Sequence, residues 1–166
     1  LSYFDELTKA MTWLGEKPDT VFVGQSVAYG GQRAHQTFVN VPLWKRIEMP
    51  VSEDFQMGFC NGLALAGKVP MSFFPRMDFL ILGMNQLVNH LDKLPIPKVI
   101  IRTAVGASEP LDPGPQHTQN HVKALQMMLR SVRVLELLGE QEIMPAYAHA
   151  WETPGSFILV EHMAKY

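Results

Sequence analysis

Apolar residues at Phe4, Leu7, Met11 and Leu14 recur at helical spacing, so residues 2–16 are predicted to form a helix that "GEKPD" ends. "TVFVG" (20–24) is a continuous apolar run closed by glycine, the pattern of a strand buried on both faces, and "VAYGGQ" after it is loop material. The alternation then repeats. "KRIEM" reads as a short strand, "SEDFQMGFCNGLALAG" as a helix stopped by Gly67, "KVPMSFF" as a strand, and "MDFLILGMNQLVNHLDKL" (77–94) as one long helix ended by "PIP". "KVIIRTAVG" is the clearest buried strand. After the proline-rich loop "ASEPLDPGPQH" come helix "TQNHVKALQMMLRS" (118–131), strand "VRVLELL", helix "EQEIMPAYAHAW" with Pro145 near its first turn, and strand "SFILVEH". Strands alternating with helices predict an α/β three-layer sandwich, a mostly parallel sheet with helices on both faces. Ligands bind such sheets beyond the carboxyl ends of the strands, so the loops after Gly24, Met49, Phe74 and Gly106 are the ones to watch.

Composition narrows the function. At 166 residues the chain fits one ordinary domain with a sizeable core. Its formal charge of -2 and its scattered Lys and Arg give no basic face for nucleic acid or an anionic membrane. Cys60 is the single cysteine and sits in an apolar stretch, which excludes a disulfide framework and a CxxC pair; a reducing, cytoplasmic setting is expected. No apolar run approaches the ~20 residues of a membrane span. No GxGxxG or GxxxxGK[ST] follows a strand, so a self-contained nucleotide site is not expected, and G-x-S-x-G is absent too. The ten methionines read as core filling.

The chemistry-bearing residues cluster in two stretches. In "PVSEDFQMGFCNGLALAG" Ser52 is a candidate N-cap, and Glu53 and Asp54 fall in the first helical turn, where negative charge suits the helix dipole. Gly58 and Gly62 each cost about 1 kcal/mol relative to alanine in a helix. They share one face with Ala66, so another backbone can approach, from within the domain or from another subunit. In "GPQHTQN", His117 stands where a loop meets a helix at the ligand edge, a position suited to proton handling. His117 and His121 lie four apart, as a zinc pair on one helix face would, but Thr118 stands where a metalloprotease motif has glutamate, and no metal ligand is assigned.

Glu53, Gly58, Phe59, Gly62 and Leu63 fill the spacing Glu, four residues, Gly, apolar, two residues, Gly, apolar. This resembles the motif of the pyrimidine-binding domain of thiamine diphosphate enzymes, nearest to the β subunit of the 2-oxoacid dehydrogenase E1 component, with transketolases more distant. "VFVGQSVAYGG", "FLILGMNQLVNHLDKL", "KVIIRTAVG" with "GPQHTQN", and "FILVEHMAKY" extend the resemblance over nearly the whole chain.

The resemblance implies a thiamine diphosphate-binding fold of the pyrimidine type over residues 1–166, without a pyrophosphate-binding or C-terminal transketolase domain. It implies that Glu53 bonds N1′ of the aminopyrimidine and favours its 4′-imino form. By the same resemblance Phe79 packs against that ring, Val51 walls the pocket beside Glu53, and His117 acts on protons of the substrate. Phe59 joins Phe79 as an expected apolar neighbour. The Gly-Asp-Gly segment followed by Asn that holds magnesium and pyrophosphate is missing from the sequence. A second subunit or domain is therefore expected to bring it, with thiamine diphosphate shared and Mg2+ held by that partner, in a heterotetramer or other hetero-oligomer; a homodimer through Gly58 and Gly62 is the expectation when the partner is absent. Gln25 and Ser26 stand where the family carries acidic residues, which keeps a non-catalytic assembly or regulatory protein as the alternative to an oxidoreductase or transferase subunit.

Overall fold

A computed structural model describes residues 1–166. Strands β1 (Thr20–Gly24), β2 (Arg46–Glu48), β3 (Val69–Phe74), β4 (Ile100–Val105), β5 (Arg133–Glu136) and β6 (Phe157–His162) form one sheet in the order β2-β1-β3-β4-β6-β5. Every adjacent pair is parallel. Consecutive residues of the central strands feed opposite layers, which is why these strands read as unbroken apolar runs. Phe22, Phe73, Ile100, Phe157 and Leu159 face a core shared with α1 (Tyr3–Gly15) and α5 (Glu140–Glu152). Val23, Phe74, Ile101, Ile158 and Val160 face a second core beneath α2 (Glu53–Leu65), α3 (Met77–Leu80) and α4 (Val122–Met128). The expected three-layer α/β sandwich is thus observed, with a wholly parallel sheet.

Helix α1 begins where the sequence predicts, closed by a reciprocal cap: Asp5 N–H donates to Ser2 Oγ and Ser2 N–H to Asp5 Oδ2. The predicted helix over 77–94 requires correction. The chain keeps a helical course but changes pitch, from α3 through a 3₁₀ turn at Ile81–Gly83 to a π-helical stretch at Asn85–Leu91. Gly83 sits at the change, with the Glu53 carbonyl oxygen 3.1 Å and Met57 Cγ 3.0 Å from where a Cβ would stand, so the segment bends around the first turn of α2. The helix predicted from Thr118 starts only at Val122. Thr118 Oγ1 donates to the Gly114 carbonyl and Asn120 Oδ1 accepts from Val122 N–H, local bonds that compete with a helical turn. A short 3₁₀ stretch at Arg33–Phe38 adds helical structure that no periodicity announced.

Beneath β4 and β6 lies a buried polar cluster. Arg102 Nε donates to Glu161 Oε1 at 2.9 Å, Arg102 Nη1 to Thr37 Oγ1 at 2.7 Å, and the Tyr166 hydroxyl to Glu161 Oε1 at 2.6 Å. The guanidinium lies 5.0 Å from the ring centres of both Phe38 and Phe73. Burial opposes the Arg102 charge, yet Glu161 holds its pKa above the ordinary value. On the other face Asp92 closes the turn after α4, accepting from the N–H groups of Arg130, Ser131 and Val132 at 2.8–3.1 Å. Burial pushes the Asp92 carboxyl up and these donors more than offset it, leaving its pKa lowered.

Candidate functional site at the carboxyl edge of the sheet

Strand β1 pairs with both β2 and β3, so the chain leaves β1 toward one side and returns across it to build β3. The connection after β1 carries the 3₁₀ turn that packs with α1, whereas the connection after β3 enters α3 on the opposite face. A crevice opens at such a reversal, beyond the carboxyl ends of the strands. Gly24 ends β1 there; a Cβ on it would stand 2.3 Å from the Phe73 carbonyl oxygen, so only glycine lets β1 and β3 run this close.

Four loops bring the candidate residues to this edge. After β2, Glu53 opens α2 and is 6% exposed, an acid withdrawn from solvent at a helix start. Its one side-chain hydrogen bond is accepted by Oε1 from Gln25 Nε2, at 3.3 Å, and Gln25 is the residue directly after β1. Ser52 holds the N-cap place but makes no side-chain capping bond. After β3, the Phe79 ring meets the His117 ring edge-on, with centroids 5.3 Å apart. His117 arrives on the loop after β4, and its Nδ1 is buried without a partner. Gly106 makes the fit tight: a Cβ there would lie 2.0 Å from the His117 carbonyl oxygen.

The loop after β1 is itself held firmly. The Glu48 carboxylate accepts from the N–H groups of Ser26, Ala28 and Tyr29 at 2.5, 2.7 and 3.3 Å, and His35 Nδ1 lies 2.9 Å from the Ser26 carbonyl oxygen. Ser26 adopts a φ of 60°, a left-handed conformation uncommon outside glycine, which these contacts sustain. Glu48 and His35 were not legible as site residues; an acid closing a three-residue strand has no sequence signature.

Other expected residues fall differently. Val51 is 80% exposed and borders no cleft within this chain, so a pocket wall there needs a surface from outside. Phe59 is half-buried, packs against the core beneath α2 and stacks on Phe55, centroids 6.2 Å apart. Gly58 makes a contact within the chain, with Gln86 atoms 3.3 Å from its would-be Cβ, and Gly62 faces open space. His117 and His121 do not share a helix face, because α4 begins after both; His121 Nε2 instead lies 3.5 Å from Asp78 Oδ1. No three metal-binding side chains come together. Cys60 is buried and its thiol pushed up to about 12 by that burial, so it offers no nucleophile. Phe79 also lines a cleft of about 450 Å³ with Asp78, Leu82, Gln116, Gln119 and His121. No helix is long and apolar enough to cross a membrane.

No protein-family model and no curated protein matches the sequence. Solved structures do match. A split-gene transketolase, in the form of an inactive β4 tetramer, superposes with a TM-score of 0.75 at 20% identity over 98% of this chain. Transketolase from Campylobacter jejuni subsp. jejuni NCTC 11168 superposes with a TM-score of 0.76 at 15% identity over 96% of it. The chain spans 51% of the first protein and 25% of the second. Sheet order, layers and superposition agree, and this chain has the pyrimidine-binding-type fold of the transketolase-like proteins.

Proposed function

We propose that the chain is the pyrimidine-binding half of a thiamine diphosphate-dependent enzyme that acts on a 2-oxo acid or transfers a ketol or acyl unit, and that a second subunit or domain completes its site. The observation behind it is Glu53, an acid buried at the carboxyl edge of the sheet with a single neutral hydrogen-bond partner. Such a carboxylate keeps acceptor capacity for a ring nitrogen, and the orphaned Nδ1 of His117 together with the half-buried Phe79 ring suits an aromatic, polar ligand between helix and loop. The fit supports thiamine diphosphate as the bound group: Glu53 would hold a proton at its aminopyrimidine, Phe79 would pack on it, and His117 would carry protons on the substrate side. When bound, the cofactor supplies an electron sink for bonds at a carbonyl carbon, and the protein supplies orientation and electrostatics. The missing Gly-Asp-Gly segment, and the span of about half of the split-gene relative, both favour a partner that holds pyrophosphate and Mg2+.

Calorimetry with thiamine diphosphate and magnesium tests this, on the chain alone and mixed with a candidate partner that carries the Gly-Asp-Gly segment. Binding by the mixture and not by this chain alone is expected, and Glu53→Gln should weaken it. A mixture that assembles yet binds nothing supports instead an assembly protein that keeps the fold, the reading Gln25 favours by standing where the related enzymes carry an acid.

A further inference from the structure

The loop that carries His117 is irregular from the end of β4 to the start of α4, and His117 Nδ1 is buried without a partner. A histidine ring is commonly oriented by a hydrogen bond at one of its nitrogens. This ring has no such bond at Nδ1, and two acids from outside the loop grip the residues just after it.

Asn120 Nδ2 donates to Glu136 Oε1 at 2.7 Å, and His162 Nε2 lies 3.0 Å from the same oxygen. Glu136 is the last residue of β5 and His162 the last of β6, so the loop leaving β4 is fastened across the ends of the two strands beyond it. A bond to a carboxylate is charge-assisted, and the Glu136 side chain is only 25% exposed, which limits its screening by solvent. On the other side, His121 Nε2 stands 3.5 Å from Asp78 Oδ1, and His121 N–H meets Met77 Sδ at 3.2 Å. Asp78 directly precedes Phe79, the ring that His117 meets edge-on. Two contacts thus run side by side between α3 and the loop, Asp78 to His121 and Phe79 to His117. Gly106, packed against the His117 carbonyl, closes the third side.

We propose that Glu136, through Asn120, and Asp78, through His121, are positioning residues that hold the His117 ring against Phe79. What that position serves rests on the reading of His117 as the proton carrier; the anchoring is a property of this chain alone.

The test is NMR on the chain labelled at histidine and phenylalanine, at fixed pH and without cofactor or partner, reading the NOE between the His117 and Phe79 rings. Glu136→Ala and Asp78→Ala should each lose most of that NOE and shift the His117 Hε1 resonance, while methyl resonances of the two cores keep their positions. Asp78→Ala also removes a charge that acts on Arg76, so His121→Ala is run beside it and should lose the NOE alike. Glu136→Gln keeps an oxygen that can accept from Asn120 and should retain the NOE, a rescue that general destabilisation would not give. An NOE of wild-type intensity in either acid-to-alanine variant, or one that Glu136→Gln loses as fully as Glu136→Ala, overturns the two-acid anchor. Should one of those alanine variants fail to fold, Asn120→Ala or His121→Ala cuts the same link from the loop side, and an undiminished NOE there overturns the anchor equally. Thiamine diphosphate plays no part in this readout, so a failed anchor and a failed calorimetric test of the proposed function are told apart.

Discussion

Glu53 and Glu161 are both buried acids near the carboxyl edge of one sheet, and their surroundings could hardly differ more. Glu161 is engaged by Arg102 and Tyr166 on one oxygen within an aromatic enclosure, and the charge it carries is neutralised on the spot. Glu53 has an amide at 3.3 Å and no cation. A buried acid that serves the fold's own cohesion has its counter-charge built in, although Glu161 Oε2 is left without a donor; a buried acid without a cation, at the carboxyl edge of the sheet, is available to something that arrives later. On the proposed function, stability and chemistry divide between two residues of the same type.

The sharpest way to break that division is to neutralise each in turn. On the proposed function, Glu53→Gln in a complex with the proposed partner is expected to lower turnover by about two to four orders of magnitude, the range for loss of a general acid–base group, while the melting temperature moves little. Near-normal turnover would end the proposed role of Glu53. Glu161→Ala should do the reverse, destabilising by about 3–5 kcal/mol because Arg102 is left buried and unpaired; denaturant unfolding measures it, and a loss below about 1 kcal/mol would erase the contrast between the two acids.

Asp92 offers an intermediate case, an acid satisfied by backbone alone. Asp92→Asn is expected to cost about 1–3 kcal/mol at neutral pH. Its folded pKa is lowered, so its contribution is present above the unfolded value, near 4, and is lost as pH falls through the folded value below that. Unfolding curves of wild type and variant should therefore converge in acid and separate above about pH 4. The smallest effect is at Gly62. With open space around it, Gly62→Ala should stabilise the isolated chain by up to about 1 kcal/mol. If the exposed face of α2 also meets a second subunit, the same change weakens association, which sedimentation equilibrium would read as a shift toward monomer.

Much of the fold was legible because its signals are local. β1 was read at both ends, since a β-branched run closed by glycine carries its own limits, and the alternation of strands with helices fixed the layers. The changes of pitch between Met77 and Leu91 were not legible, because Gly83 is shaped by the backbone of Glu53 thirty residues earlier. The same holds at the site. Glu53 stood out through a spaced motif, His117 through its place in "GPQHTQN" and Phe79 through the family resemblance alone, and the three lie at one edge of the sheet. Glu48 and the bond from Gln25 to Glu53 depend on which loops meet, and the amino-acid order around them is unexceptional.

The Tyr3 hydroxyl donates to the Leu137 carbonyl, 134 positions away, and accepts from His162 N–H, 159 positions away. These two bonds of α1 therefore cannot form while the ribosome is still extending the chain toward β6. At about 5–20 residues per second, roughly 8–30 s separate the synthesis of these two contact partners. During that interval α1 has β1 and the 3₁₀ turn at Arg33–Phe38 to pack on while its contacts with α5 are still to come, so closure of the domain is a late event that joins the two ends of the chain.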